Sequence, residues 1–171
     1  CVMAWLVALL MVPLMLFIWA LDTKKTRINR YRSYGWSWKI PESILKIAPC
    51  LVLHPSPLPH YRGGSPIQNQ LLDGVKESAV TIFYATGRLD SGDILAQEPI
   101  SFEGYLQDIV ERISEVGLRL TIDLLDRMVK GPVQGRRQDE SQSTVVKRRT
   151  PSMSEITIEE ITTNSAEYLY N

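Results

Sequence analysis

The sequence holds two histidines, His54 and His60, the residue type suited to proton transfer. His54 closes an apolar run, Cys50-Leu-Val-Leu-His54, and Pro55 follows it. An imidazole at the mouth of a strand can donate or accept a proton. It can equally be a ring packed or hydrogen-bonded at a strand end. His60 falls in the next loop, where an exposed side chain is the simpler reading. Asp90 stands in Arg88-Leu-Asp-Ser-Gly-Asp93. Asp-Ser-Gly is ordinary turn chemistry, so Asp90 and Asp93 read as turn and capping residues, or Asp90 as a carboxylate partner for His54. Spacing alone does not bring the two together. Arg62 reads either as an anion ligand or as a solvated or ion-paired cation. Gln68 and Asn69 read as polar positions on a helix face. Cys1 and Cys50 have no metal-ligand spacing, which fits a reducing compartment. No metal site is expected.

The elements that must hold these residues can be read from punctuation. Pro41 and Glu42 suit a helical first turn, so Ser43–Ile47 reads as a short helix ended by Pro49. Cys50–His54 is a strand. Pro55, Pro57 and Pro59 stiffen the loop after it, and Gly63 and Gly64 permit positive φ or close backbone approach there. Pro66–Asp73 reads as a helix stopped by Gly74. Ala79–Ala85 is a second strand, Gly87–Asp93 a loop, and Ile94–Ile100 a third extended stretch. Ile109, Ile113, Val116, Leu120, Leu124 and Met128 recur at steps of three and four, so a helix over Tyr105–Val129 buries one face. Gly131-Pro132 ends it. Residues 134–152 read as a polar loop or extended linker, and Ile156–Leu169 has weak helical character. Alternating strands and helices argue for an α/β domain with a mostly parallel sheet, with chemistry beyond the strand carboxyl ends.

The chain has 171 residues and a formal net charge of +0. That suits one ordinary domain with a real core, and no global basic field points to nucleic acid. Residues 1–21 are apolar and uncharged, and 21 residues of helix rise about 30 Å, enough to cross a bilayer. Lys24, Lys25, Arg27, Arg30 and Arg32 follow, a positive flank that would keep the downstream part cytoplasmic. This stretch reads as a transmembrane helix or uncleaved anchor, or as a segment left by truncation and foreign to the domain behind it. Residues 22–33 read as a solvated basic linker rather than a nucleic-acid patch. The organisation expected is 1–33 apolar segment plus basic linker, 34–133 catalytic region, and 134–171 linker and start of a C-terminal region, with both ends reading as cuts.

His54-Pro-Ser-Pro-Leu-Pro-His-Tyr-Arg-Gly-Gly-Ser-Pro-Ile-Gln68 is similar to the signature of the 10-formyltetrahydrofolate-dependent formyltransferases. Gly87-Arg-Leu-Asp-Ser-Gly-Asp93 follows at that family's usual distance, and Gln138-Asp-Glu-Ser with Arg148-Arg-Thr-Pro-Ser-Met-Ser-Glu155 resembles its linker. The resemblance spans residues 34–150. It implies a Rossmann-like, three-layer α/β domain whose first half is missing from, or replaced in, residues 1–33. It implies a biosynthetic one-carbon transferase, in which an acceptor amine attacks the formyl carbon of 10-formyltetrahydrofolate, with no metal. His54 matches the histidine that stabilises the oxyanion and shuttles a proton, and Asp90 the aspartate that orients it. Trp38, Lys39 and Ile40, with Arg88, Leu89 and Asp90, match the stretches that flank the folate. Ser56, Arg62 and Gly63 are the expected acceptor-binding residues.

Val52 departs from the pattern. The family usually reads Asn-x-His, and residues two apart on a strand share a face. Losing one oxyanion donor costs about 100- to 1000-fold in rate. The Arg-Gly-Gly-Ser-Pro-Ile-Gln and Arg-Arg-Thr-Pro segments suit the methionyl-tRNA and sugar-amine branches. The expected acceptor is an amino sugar nucleotide or methionyl-tRNA, with a slight lean to the small amine. The alternative, resting on Val52 and residues 1–21, is a catalytically impaired, membrane-tethered folate- or ligand-binding module.

Overall fold

A computed structural model of the chain describes residues 31–33, 40–47 and 49–166. The expected membrane segment at 1–21 and the weak helix end at 167–169 lie outside those residues. Among the described residues no helix is long and apolar enough to cross a membrane.

Four strands form the main sheet: β1 (Tyr31–Ser33), β2 (Cys50–His54), β4 (Glu77–Tyr84) and β5 (Ile94–Ser101), in the order β1-β2-β4-β5. Each of the last three coincides with an apolar or β-branched run bounded by proline or glycine, which is why their limits follow the sequence closely. The pairing corrects one expectation. β1 and β2 are parallel, but β2–β4 and β4–β5 are antiparallel. Residues 85–93 hold no helix to carry a parallel crossover, so the chain turns straight back. Residues 55–65 are likewise spent at the end of β2, with Ser56, Leu58 and Arg62 buried there.

Helix α1 (Glu42–Leu45) precedes β2, and helix α2 (Pro66–Leu72) follows a two-residue strand β3 (Arg62–Gly63). The long helix α3 (Leu106–Lys130) lies against β4 and β5. Its start is fixed by Asp108, whose carboxylate accepts the Tyr105 N–H at 3.1 Å. Arg127 and Lys130 in its last turn complement the helix dipole. Ile109, Ile113, Gly117, Thr121, Leu124 and Met128 form its buried edge. They pack on Leu51, Val80, Ile82, Leu95 and Ile100, with Leu53 contributing to both halves of this core.

Strand alternation gives β2 two jobs. Leu51 and Leu53 face α3, while Val52 turns to a smaller cluster of Leu58, Phe83 and Ile94. His54 shares the Val52 face. Among the described residues this second face is covered by the loop after His54 rather than by a helix.

Residues 134–150 are not a free linker. Arg136 and Ile94 exchange backbone hydrogen bonds of 2.8 and 2.7 Å. Strand β6 (Val145–Val146) pairs in parallel with β3. The segment is therefore a strap, docked back on the loop that follows β2. A short helix α4 (Ile158–Thr163) comes after it, with a capping box formed by Thr157 and Glu160.

Candidate active site

β2 delivers His54 to the sheet end at 6% exposure, its ring edge-on to Phe83 with centroids 6.5 Å apart. The loop beyond folds back over it. Ser56 is the pivot. Its hydroxyl donates to His60 O at 2.8 Å, and its carbonyl accepts from Thr81 Oγ1 at 2.7 Å. This brings the Tyr61 carbonyl to 2.8 Å from His54 Nε2. A carbonyl can only accept, so Nε2 carries the hydrogen. Nδ1 then faces the other way, 3.8 Å from Asp90 Oδ2. The ring thus has one nitrogen committed to structure and one turned to a carboxylate, where a proton can be taken up or given away.

Asp90 reaches this position through the loop 85–93, with φ 44. Its Oδ2 also accepts the Gly63 N–H at 2.8 Å. Gly63 has φ 107, and a Cβ there would lie 2.3 Å from Val146 O. Only glycine lets the site loop and the strap approach so closely. At Gly92 a Cβ would fall 1.7 Å from Tyr84 O, so the loop bearing Asp90 also needs glycine at its base.

Around the pair lies a buried polar network. Gln138, 3% exposed, donates from Nε2 to Asp90 O at 3.0 Å and Gly92 O at 2.7 Å. Its Oε1 accepts from Arg62 Nε at 3.0 Å and Nη2 at 2.7 Å. Arg62 continues to Glu140 through two bonds of 3.1 Å, and Arg88 meets the same carboxylate at 3.0 Å. The hydrogen bond from Arg62, and then the positive charges of Arg62 and Arg88, hold the Glu140 carboxyl below its ordinary value. Burial, followed by the 2.9 Å bond to Asp73, raises the Tyr61 phenol.

His54 and Asp90, separate in sequence, are brought together. Two expected acceptor ligands are placed otherwise. Ser56 is 0% exposed with its hydroxyl spent on His60, and Arg62 is 3% exposed with its guanidinium spent on Gln138 and Glu140. A dense loop that turns over a strand end buries its polar side chains, and they then bond to their own backbone and neighbours. Gly63 contributes its N–H to Asp90 rather than a surface for substrate. Of the expected folate-flanking residues, Trp38 and Lys39 lie outside the described residues. Ile40 is half-buried, and Arg88 and Leu89 are exposed. Near them, the space a Cβ would take at Gly87 lies 3.9 Å from Glu42 Oε1. Among the described residues no His, Cys, Asp and Glu side chains are grouped to hold a metal ion.

Spacing marks neither Gln138 as a site residue nor Asn69 as a link, outside the site, between α2 and the strap. Asn69 Nδ2 donates to Gly64 O, Ser65 O and Lys147 O, tying α2 to the strap. Partners so distant leave no local signature; only the Gln-Asp-Glu-Ser motif hinted at Gln138.

Residues 35–124 match the family described as formyl transferase. The methionyl-tRNA formyltransferase of Halalkalibacterium halodurans is 37% identical over 109 residues, 63% of this chain and 34% of that protein. The chain thus spans about a third of that relative's length. Among solved structures, the methionyl-tRNA formyltransferase from Clostridium thermocellum superposes with a TM-score of 0.67 at 29% identity, covering 82% of this chain and 60% of that one. The N-formyltransferase from Helicobacter canadensis, solved with folinic acid and dTDP-3-aminofucose, gives 0.68 at 17% identity, over 81% of this chain and 51% of that one. The last likeness is one of fold, and the fold is the Rossmann-like α/β arrangement that the motifs implied.

Proposed function

The chain belongs to the formyl transferase family, and from that membership we propose that its site moves a formyl group from 10-formyltetrahydrofolate to an amine. The observation that carries this is His54 Nδ1 lying 3.8 Å from Asp90 Oδ2, with Nε2 bonded to Tyr61 O. The donor supplies the activated formyl carbon. The chain supplies the proton traffic. Asp90 takes the proton that the attacking amine must lose as its nitrogen bonds to the formyl carbon. His54, protonated at Nδ1, offsets negative charge on the formyl oxygen. It then gives that proton to the nitrogen that leaves as the old C–N bond breaks. The loop Arg88–Asp90 and the stretch ending at Ile40 form the donor's margin. The folinic acid in the Helicobacter relative supports folate as the carrier.

Val52 presents methyl groups where an asparagine amide would meet the formyl oxygen. The Gly63 N–H is already taken by Asp90. Charge stabilisation therefore rests on His54 more heavily than in an Asn-x-His site.

For the acceptor, the balance moves to methionyl-tRNA. The sequence likeness is 37% and 29% to methionyl-tRNA formyltransferases, against 17% to the amino-sugar enzyme. The test is formyl transfer from 10-formyltetrahydrofolate to charged initiator tRNA and, separately, to dTDP-3-aminofucose. Faster transfer to tRNA, lost in His54→Ala, is the expected result. Transfer to neither amine overturns the proposal, and transfer only to the sugar overturns the choice of acceptor.

A further inference from the structure

We infer that Gln138, on the strap, is a positioning residue for the Asp90–His54 pair; this rests on the formyl-transfer role proposed for those two residues. Asp90 stands at φ 44, a backbone conformation that an aspartate adopts only when its surroundings hold it there. What holds it is one amide. Gln138 Nε2 donates to the carbonyl of Asp90 itself and to that of Gly92, pinning the turn on both sides of Ser91. The other end of the amide is locked in turn. Its Oε1 takes two bonds from Arg62, so Nε2 cannot flip away from the turn without presenting donors to a guanidinium. Arg62 adjoins Gly63, whose N–H fixes Asp90 Oδ2. The Asp90 carbonyl and carboxylate are thus both tied, through Gln138–Arg62 and through Gly63, to the same two residues of β3. Rotation of the carboxylate away from His54 Nδ1 requires breaking one of these ties. Gln138 is buried and makes no hydrogen bond to His54, so its reach to His54 is through the turn that carries Asp90.

The informative substitution is Gln138→Glu. It keeps the acceptor for Arg62, removes the donor to Asp90 O and Gly92 O and sets a carboxylate oxygen against those carbonyls, while Gln138→Met removes the donor without adding charge. The comparison is Asn69→Ala, which removes a different side-chain tie to the strap, at Lys147 O, and touches neither Asp90 nor Arg62. Formyl transfer, circular dichroism melts and the ring chemical shifts of His54 by NMR are read on the full chain. With only two histidines, a His60→Gln background assigns the His54 signals. The expected outcome for Gln138→Glu is a kcat lower by about 10- to 100-fold, a KM for the donor within about two-fold, and displaced His54 ring signals. Asn69→Ala should lower the melting temperature but keep kcat and the His54 signals. Equal kcat losses in the two variants, or His54 signals unmoved in Gln138→Glu, overturn the inference. So does failure of both Gln138→Glu and Gln138→Met to fold while Asn69→Ala folds, since Gln138 would then hold the fold and not the site. If the unaltered chain transfers no formyl group, the proposed function fails, and the His54 signals still decide whether Gln138 sets the pair.

Discussion

The two nitrogens of His54 meet different partners. Tyr61 O fixes the hydrogen on Nε2, and that leaves Nδ1 to exchange protons opposite Asp90. Asp90→Asn removes the base and the counter-charge together while preserving shape. It should lower kcat by about 100-fold or more with little change in donor KM, as steady-state kinetics on the full chain will show. Val52→Asn runs the other way. The new amide would stand on the His54 face of β2, two residues before the ring, and add a donor to the formyl oxygen. A rise in kcat of up to about 100-fold is expected, along with a stability loss of about 1–3 kcal/mol if the amide goes unpaired in the free protein. An unchanged kcat would mean that the oxygen is served by another group. Gly63→Ala probes the backbone. Its Cβ would sit 2.3 Å from Val146 O at a φ of 107, so β3 and β6 must separate. A loss of about 1–3 kcal/mol should show as a lower melting temperature, with activity falling because the Gly63 N–H leaves Asp90.

Strands and helices were legible wherever the chain punctuates itself. Cys50–His54 is bounded by prolines, and α3 by its apolar stripe and Gly131-Pro132, though in that stripe Val116 and Leu120 are only half-buried while Gly117 and Thr121 beside them are buried. Burial at Leu124, 1% exposed in the centre of α3, is strong enough that Leu124→Ala should cost about 2–5 kcal/mol in chemical denaturation. The antiparallel turn from β4 to β5 was not legible, because alternation of apolar residues says which face is buried and not which way a neighbour runs. Nor was the strap. Its residues are polar, and its partners lie far off in sequence: Arg62 for Gln138, Ser65 for Arg149, Gly63 for Val146. Polar residues that satisfy one another look in sequence like residues that water satisfies. The strap's dependence on charge has a sign. Arg62, and then Arg88, lower the Glu140 carboxyl, so its contribution is in place at neutral pH and above the ordinary carboxylate range. It is lost as pH falls through that lowered value. Thermal melts should therefore drop below about pH 4. Glu140→Gln should flatten part of that fall, leaving a remainder from Asp139 and Glu160, whose carboxyls Ser141 and Thr157 lower by hydrogen bonds. A variant with the same acid slope as the parent would show that the strap is not held at Glu140.

Taken whole, the molecule carries a formal net charge of +0, so nothing in its overall field draws a polyanion. If methionyl-tRNA is the acceptor, as the sequence likeness supports, attraction must come from local groups. Arg137, Lys147 and Arg148 are exposed along the strap, and the space a Cβ would take at Gly64 lies 2.7 Å from Arg148 Cα, so the basic run passes directly beside the loop that follows His54. The segment that fixes Asp90 through Gln138 thus also carries cations past the site. Transfer to methionyl-tRNA should then fall steeply with salt, log(kcat/KM) declining linearly with log of salt concentration by about 0.9 for each phosphate contact. Transfer to a small amine without a polyanionic body should hardly change. Lys147→Gln should reduce the salt slope for tRNA by about one contact and leave reaction at the site untouched, since Lys147 lends only its backbone carbonyl, to Asn69. A slope that does not change would place the phosphate contacts elsewhere than at Lys147.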